Sequence, residues 1–219
     1  MWLFAGIAVL VGLIVFLNWW FAKRRRETFQ TVAAARGWDY LPEDPSLTQR
    51  WLGSPFGHGD SPRARNVVSG VHDGRPFVAF DYSYTTRSSD SNGTSTSTFE
   101  YSICALVLDR PLPRLEVTRE SLFGRFATAL GMQDHQVADA DFNRRYRVRA
   151  QSQEFAAAVL HPDTTAVLLA AGFGAWRIWD EVILSWERGK HRPEDLDARF
   201  ALLDAVLDGI PPAAWARSG

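Results

Sequence analysis

The side chains best spaced for chemistry are Arg145, Arg147 and Arg149, which stand at every second position. On a strand that spacing sends all three to one face and Tyr146 and Val148 to the other. Each guanidinium presents a planar fork of donors that matches a carboxylate or a phosphate. The ladder is therefore a candidate site for an anionic partner or a lipid headgroup. Arg144 adjoins it, and Arg63 and Arg65 lie in an earlier segment. The competing reading is a solvated strand face paired with Asp139 and Asp141. A second basic group, Lys23-Arg24-Arg25-Arg26, follows a long apolar run and reads as the flank of a membrane segment.

Catalytic chemistry is poorly served. His58, His72, His135, His161 and His191 are scattered, and none forms HxxxH, HExxH or a Cys/His grouping. No metal and no cofactor is expected on that basis. Acid–base work needs two carboxylates facing one pocket. The pairs Glu43-Asp44, Asp139 with Asp141, Asp180-Glu181 and Glu194-Asp195 instead sit at turn-like positions or a helix start, where acids cap and solvate. Cys104 is the single cysteine, so no intramolecular disulfide forms, and its apolar surroundings read as a small buried hydrophobe. No catalytic residue is assigned. The tryptophans at 38, 51, 176, 179, 186 and 215 read as core and edge packing, not as a ligand cage.

Trp2 to Ala22 is apolar except for Asn18. Twenty-one helical residues reach about 31 Å, close to the hydrocarbon thickness of a bilayer. This predicts an N-terminal transmembrane helix at residues 2–22, with the bilayer as its partner. Basic residues flank only its C-terminal side, so the positive-inside rule puts the N-terminus outside and the remaining domain in the cytoplasm. The expected location is the plasma membrane, single-pass. Lys23, Arg24, Arg25 and Arg26 could also attract anionic headgroups. Ala8 and Gly12 form a small-xxx-small pair, a weak basis for a homo-oligomer.

Beyond this flank the chain carries 20 basic and 25 acidic residues, a net of −5, which argues against a nucleic-acid partner. The expected organisation is an anchor at 1–26 and one soluble α+β domain at 27–219, with 27–118 and 119–219 as diverged halves. Asp73-Gly74 marks a two-residue hairpin turn. Val78, Phe80, Tyr82 and Tyr84 alternate after it, and Val67 to His72 precede it. Phe99 to Val107 supplies a third strand and Leu115 with Val117 a fourth. Residues 39–62 read as irregular, and 87–98 as a Ser/Thr-rich loop. Helices are expected at 27–36, at 120–130, from Ser152 to Leu160, from a cap at Asp163 to just before Gly172, and from Pro193 to Leu207. Ala175 to Glu187 reads as a hairpin turning at Asp180-Glu181. Segregated strands and helices favour antiparallel hairpins packed on amphipathic helices.

Four stretches carry a family resemblance: Arg36-Gly37-Trp38-Asp39-Tyr40, Asp44-Pro45-Ser46-Leu47, Ala79-Phe80-Asp81-Tyr82-Ser83-Tyr84 and Trp176-Arg177-Ile178. The chain resembles an uncharacterised family of single-span, membrane-anchored proteins from high-GC Gram-positive (actinobacterial) bacteria. That resemblance implies the architecture and supplies no activity. The functional expectation is a membrane-anchored cytosolic binding or scaffolding module for a protein partner. The alternatives are a tethered enzyme with a pocket near His58 or His72, and an envelope-facing domain outside the cytoplasm.

Overall fold

The computed structural model describes residues 2–90, 93–119 and 132–216. The fold is α+β. Helix α1 (Trp2–Arg36) leads into β1 (Asp39–Glu43), a 3₁₀ turn (Pro45–Thr48), β2 (Asp60–His72), β3 (Arg75–Asp90) and β4 (Gly93–Arg119). There follow β5 (Gln133–His135), α2 (Ala140–Arg145), β6 (Tyr146–Ala150), α3 (Gln153–Val159), α4 (Pro162–Ala171) and β7 (Ala175–Arg188). A 3₁₀ turn (Pro193–Asp195), α5 (Leu196–Asp208) and α6 (Pro212–Ala216) close the chain. The helix expected at 120–130 lies outside the described residues.

One seven-stranded antiparallel sheet runs in the order β1-β2-β3-β4-β6-β5, with β7 also paired to β4. Strand β4 is the spine. Ile103 sits between Phe80 of β3 and Trp186 of β7, and Leu115 between Ala150 of β6 and Ile178 of β7. The β4–β7 register slips twice between Val107 and Leu115. Pro111 and Pro113 fall there, and neither can donate to a ladder.

Both faces of the sheet are buried. Phe77, Ala79, Cys104, Leu106, Leu115, Val117, Trp176 and Ile178 pack under the helices with Phe29, Ala33, Phe155, Phe200 and Leu203. Val78, Phe80, Tyr82, Tyr84, Ile103, Ala105, Leu184 and Trp186 pack on the other face under Leu47, Phe56 and Trp51. Period two thus delivers apolar side chains to both sides of β3.

The structure corrects several expectations. Residues 175–188 are one continuous strand, not a hairpin. Asp180, at φ 53°, makes an irregularity that moves the even-numbered residues from the helical face to the opposite one. Residues 87–90 and 93–98 extend the β3–β4 hairpin and are not a loop, with Thr86 opposite Ser97 and Ser89 opposite Thr94. Asp39–Glu43 is a strand paired with β2.

The transmembrane helix is corrected too. Among the described residues no helix is long and apolar enough to cross a membrane. The apolar run Trp2–Ala22 is the first part of α1. From there α1 runs on through Lys23–Arg26 into the fold, where Phe29 and Ala33 are buried. The single-pass plasma-membrane placement, with its outside N-terminus and cytoplasmic domain, therefore loses the span on which it rested.

Candidate functional site

The expected arginine ladder divides. Arg145 closes α2 and is exposed, while Arg147 and Arg149 lie on β6. Both reach one carboxylate: Arg147 donates to Asp134 Oδ2, and Arg149 Nε stands 3.4 Å from Asp134 Oδ1. The Arg147 hydrogen bond holds Asp134 below the usual carboxylate range. Arg149 is only 8% exposed. Two of the three arginines are therefore built into the sheet.

Arg149 belongs to a longer row. In register, Asp134 of β5 faces Arg149 of β6, Arg149 faces Glu116 of β4, and Glu116 faces Arg177 of β7. Acid and base alternate across four strands. The row lies on the face opposite the helical core, since its neighbours Leu115, Val117, Val148, Trp176 and Ile178 all point into that core. Burial pushes the Glu116 carboxyl up, and Arg177 and Arg149 pull it back in part.

Arg177 ends the row and is the least satisfied charge of the four. It is 2% exposed. Its Nη1 stands 3.8 Å from Glu116 Oε2, beyond hydrogen-bond reach, and neither Nη1 nor Nη2 has a hydrogen-bond partner. Rings surround it: its guanidinium carbon lies 5.3 Å from the Trp186 centroid, 5.5 Å from Trp179 and 6.0 Å from Phe56. Those faces attract a cation but accept no in-plane N–H bond. Burial pulls the guanidinium down to about 10, against the pull of Glu116.

A recess of about 430 Å³ opens beside it, lined by Arg50, Trp51, Leu52, Pro111, Arg177, Trp179, Asp180, Glu181 and Val182. Arg50 lies 5.2 Å over Trp51, and Arg114 lies 4.2 Å over Trp179. The Asp180 irregularity of β7 and the Pro111 break of β4 form its edge. Trp51 comes from the segment expected to be irregular, and the sequence alone suggests packing roles for Trp51 and Trp179. The signal available in the sequence was Arg177 itself, a charge inside Trp-Arg-Ile-Trp.

The other charges are better satisfied. Asp81, 7% exposed, accepts two hydrogen bonds from Arg25 Nη2 (3.0 and 2.8 Å), one from Asn66 Nδ2 (2.8 Å) and one from the His191 backbone N–H (2.8 Å). Of the basic flank, then, Arg25 ties α1 to the sheet. Lys23 pairs with Glu27 at 3.9 Å, Arg24 lies 4.4 Å over Trp20, and Arg26 lines a groove of about 450 Å³ between α1 and the sheet.

Cys104 does acquire a histidine neighbour, with its Sγ 3.9 Å from His191 Nε2. The pair is not a nucleophile and base. Nε2 lies 2.8 Å from the Ile103 carbonyl, to which it must donate, so it cannot also take a proton from the thiol. Both residues are sealed, at 0% and 1% exposure. Burial pushes the thiol up to about 12 and the imidazole down to about 4. His58 packs near Tyr84, and His72 bonds Asp204 at 2.9 Å beside Phe200. Among the described residues no three His, Cys, Asp or Glu side chains group to hold a metal.

No family model and no curated protein matches the chain. Among solved structures the chain is similar to the mycobacterial trehalose monomycolate transport factor A, TtfA, with a TM-score of 0.64 and 15% identity. The match covers 87% of this chain and 97% of that one, a likeness of fold.

Proposed function

We propose that this chain is a non-catalytic binding module whose ligand seat is the Trp51–Trp179 recess floored by Arg177. One observation carries the reading: Arg177 lines a cavity, and its nearly fully buried guanidinium keeps both terminal nitrogens, themselves out of solvent contact, without a hydrogen-bond partner. Unpaired buried donors cost stability. Sites that bind polar groups are where such a cost is tolerated, because the ligand supplies the missing acceptors. The sealed Cys104–His191 pair supports binding over catalysis. The fold shared with a protein named as a transport factor is consistent with holding or handing on a ligand.

That name also motivates a second reading for the same seat. Indole faces hold the apolar face of a pyranose, and Arg50, Asp180 and Glu181 could bond its hydroxyls. Trehalose, the sugar of the lipid named for TtfA, is the corresponding probe. Calorimetric titration of the full chain with trehalose tests it, beside the variants Trp179→Ala and Arg145→Ser. Heat lost in the first variant and kept in the second is the expected result. Binding unchanged by Trp179→Ala would place any sugar site elsewhere.

A further inference from the structure

We infer that the recess selects a ligand bearing a single carboxylate on a flat apolar body, with the carboxylate seated on Arg177. This rests on the binding-module reading above and names the ligand class. Three observations lead to it. First, Arg177 Nη1 and Nη2 have no partner, and aromatic rings lie near the guanidinium within 6.0 Å. Only an acceptor lying in the guanidinium plane completes those nitrogens, and a carboxylate matches that fork with two parallel bonds.

Second, the walls limit the ligand's charge. Glu116 stands behind Arg177, and Asp180 and Glu181 line the recess with it. Arg50 lines the same recess, and Arg114 stands 3.9 Å from Asp180. The three guanidiniums and the three carboxylates balance. A carboxylate therefore leaves one net negative charge in contact with Arg177, whereas a dianionic phosphate leaves two among three carboxylates. Third, Trp51 and Trp179 line the same space, and indoles favour stacking with a flat apolar group. The volume, about 430 Å³, suits a small molecule.

The test titrates the ¹⁵N-labelled full chain with benzoate, with its neutral isostere benzamide and with phenyl phosphate, observed by NMR. Benzoate is expected to bind at least 10-fold tighter than benzamide or phenyl phosphate and to shift the Arg177 Nε–Hε resonance. Arg177→Gln should erase that preference and leave benzamide binding as it was. Equal binding of benzoate and benzamide, both lost in Trp179→Ala, would overturn the carboxylate and keep the binding module. Tighter binding of phenyl phosphate would overturn the single-charge argument. No shift with any probe at millimolar concentration would overturn both. Should Arg177→Gln fail to fold, the Nε–Hε resonance of the unaltered chain decides alone: unmoved by benzoate, it rejects the seat.

Discussion

Asp81 and Arg177 are both buried charges on the sheet, and they are treated in opposite ways. Asp81 receives four donor contacts from three segments: α1 through Arg25, β2 through Asn66 and the 190–192 connection through the His191 N–H. Arg177 receives a distant carboxylate and aromatic faces, and its buried terminal nitrogens have no hydrogen-bond partner. A buried charge with its partners complete fixes the positions of the segments that supply them. One with partners missing carries a cost that folding alone does not recover. The first is a fastening, and the second is a seat.

The largest expected effect breaks the fastening. Asp81→Asn replaces an acceptor oxygen with a donor and leaves Arg25 without its counter-charge. It should lower stability by about 3 kcal/mol, seen as a lower urea midpoint at unchanged slope. An equal midpoint would mean that the hub does not fasten α1.

His191, beside the hub, makes a prediction of similar size in acid. Its imidazole is held neutral, down to about 4 from an ordinary 6.5. A depressed pKa contributes stability in full above the unfolded value. That contribution is lost as pH falls from about 6.5 through about 4, roughly 3 kcal/mol in all. Denaturation at a series of pH values should show this slope, and His191→Gln should flatten it.

The seat should behave in the opposite sense. Replacing the pair together, Arg177→Met with Glu116→Gln, removes two desolvated charges from the sheet. It should raise stability by about 1 kcal/mol while abolishing the preference for benzoate over benzamide. A drop of several kcal/mol would make Arg177 a fastening as well and erase the contrast. The smallest effect belongs to the exposed end of the ladder. Arg145→Ser with Arg147→Ser should cost under about 1 kcal/mol by thermal unfolding and leave the recess intact.

Local signals in the sequence led to the elements they encode. Asp73-Gly74 turns as expected, the alternation from Val78 to Tyr84 is a strand, and Ser152 caps α3. Residues 87–89 and 93–98 misled because they are exposed on both faces of the ribbon, so no alternation marks it. Its pairing is carried by backbone groups that composition does not report. Asp180-Glu181 misled for a different reason. Two adjacent acids resemble a turn when β7 is considered alone, but its partner β4 holds both halves in one line. The arginine ladder was legible as a pattern. Its meaning was not, because Asp134 and Glu116 reach it only through strand pairing, and the α2 start at Asp139 leaves Arg145 off the strand.

Strand β4 bears on how the chain comes to be folded. Ser102 and Glu187, opposite one another on β4 and β7, are 85 residues apart. One long edge of the spine therefore waits for the last of the described strands to be synthesised. Contacts of such high order slow folding, and an unpaired edge invites another chain to add to it. On the ribosome the β2–β3–β4 meander should emerge and collapse first, with that edge bare. Translation speed through residues 110–190, or a chaperone covering the edge, would then govern the yield of native protein more than would the stability of the finished fold.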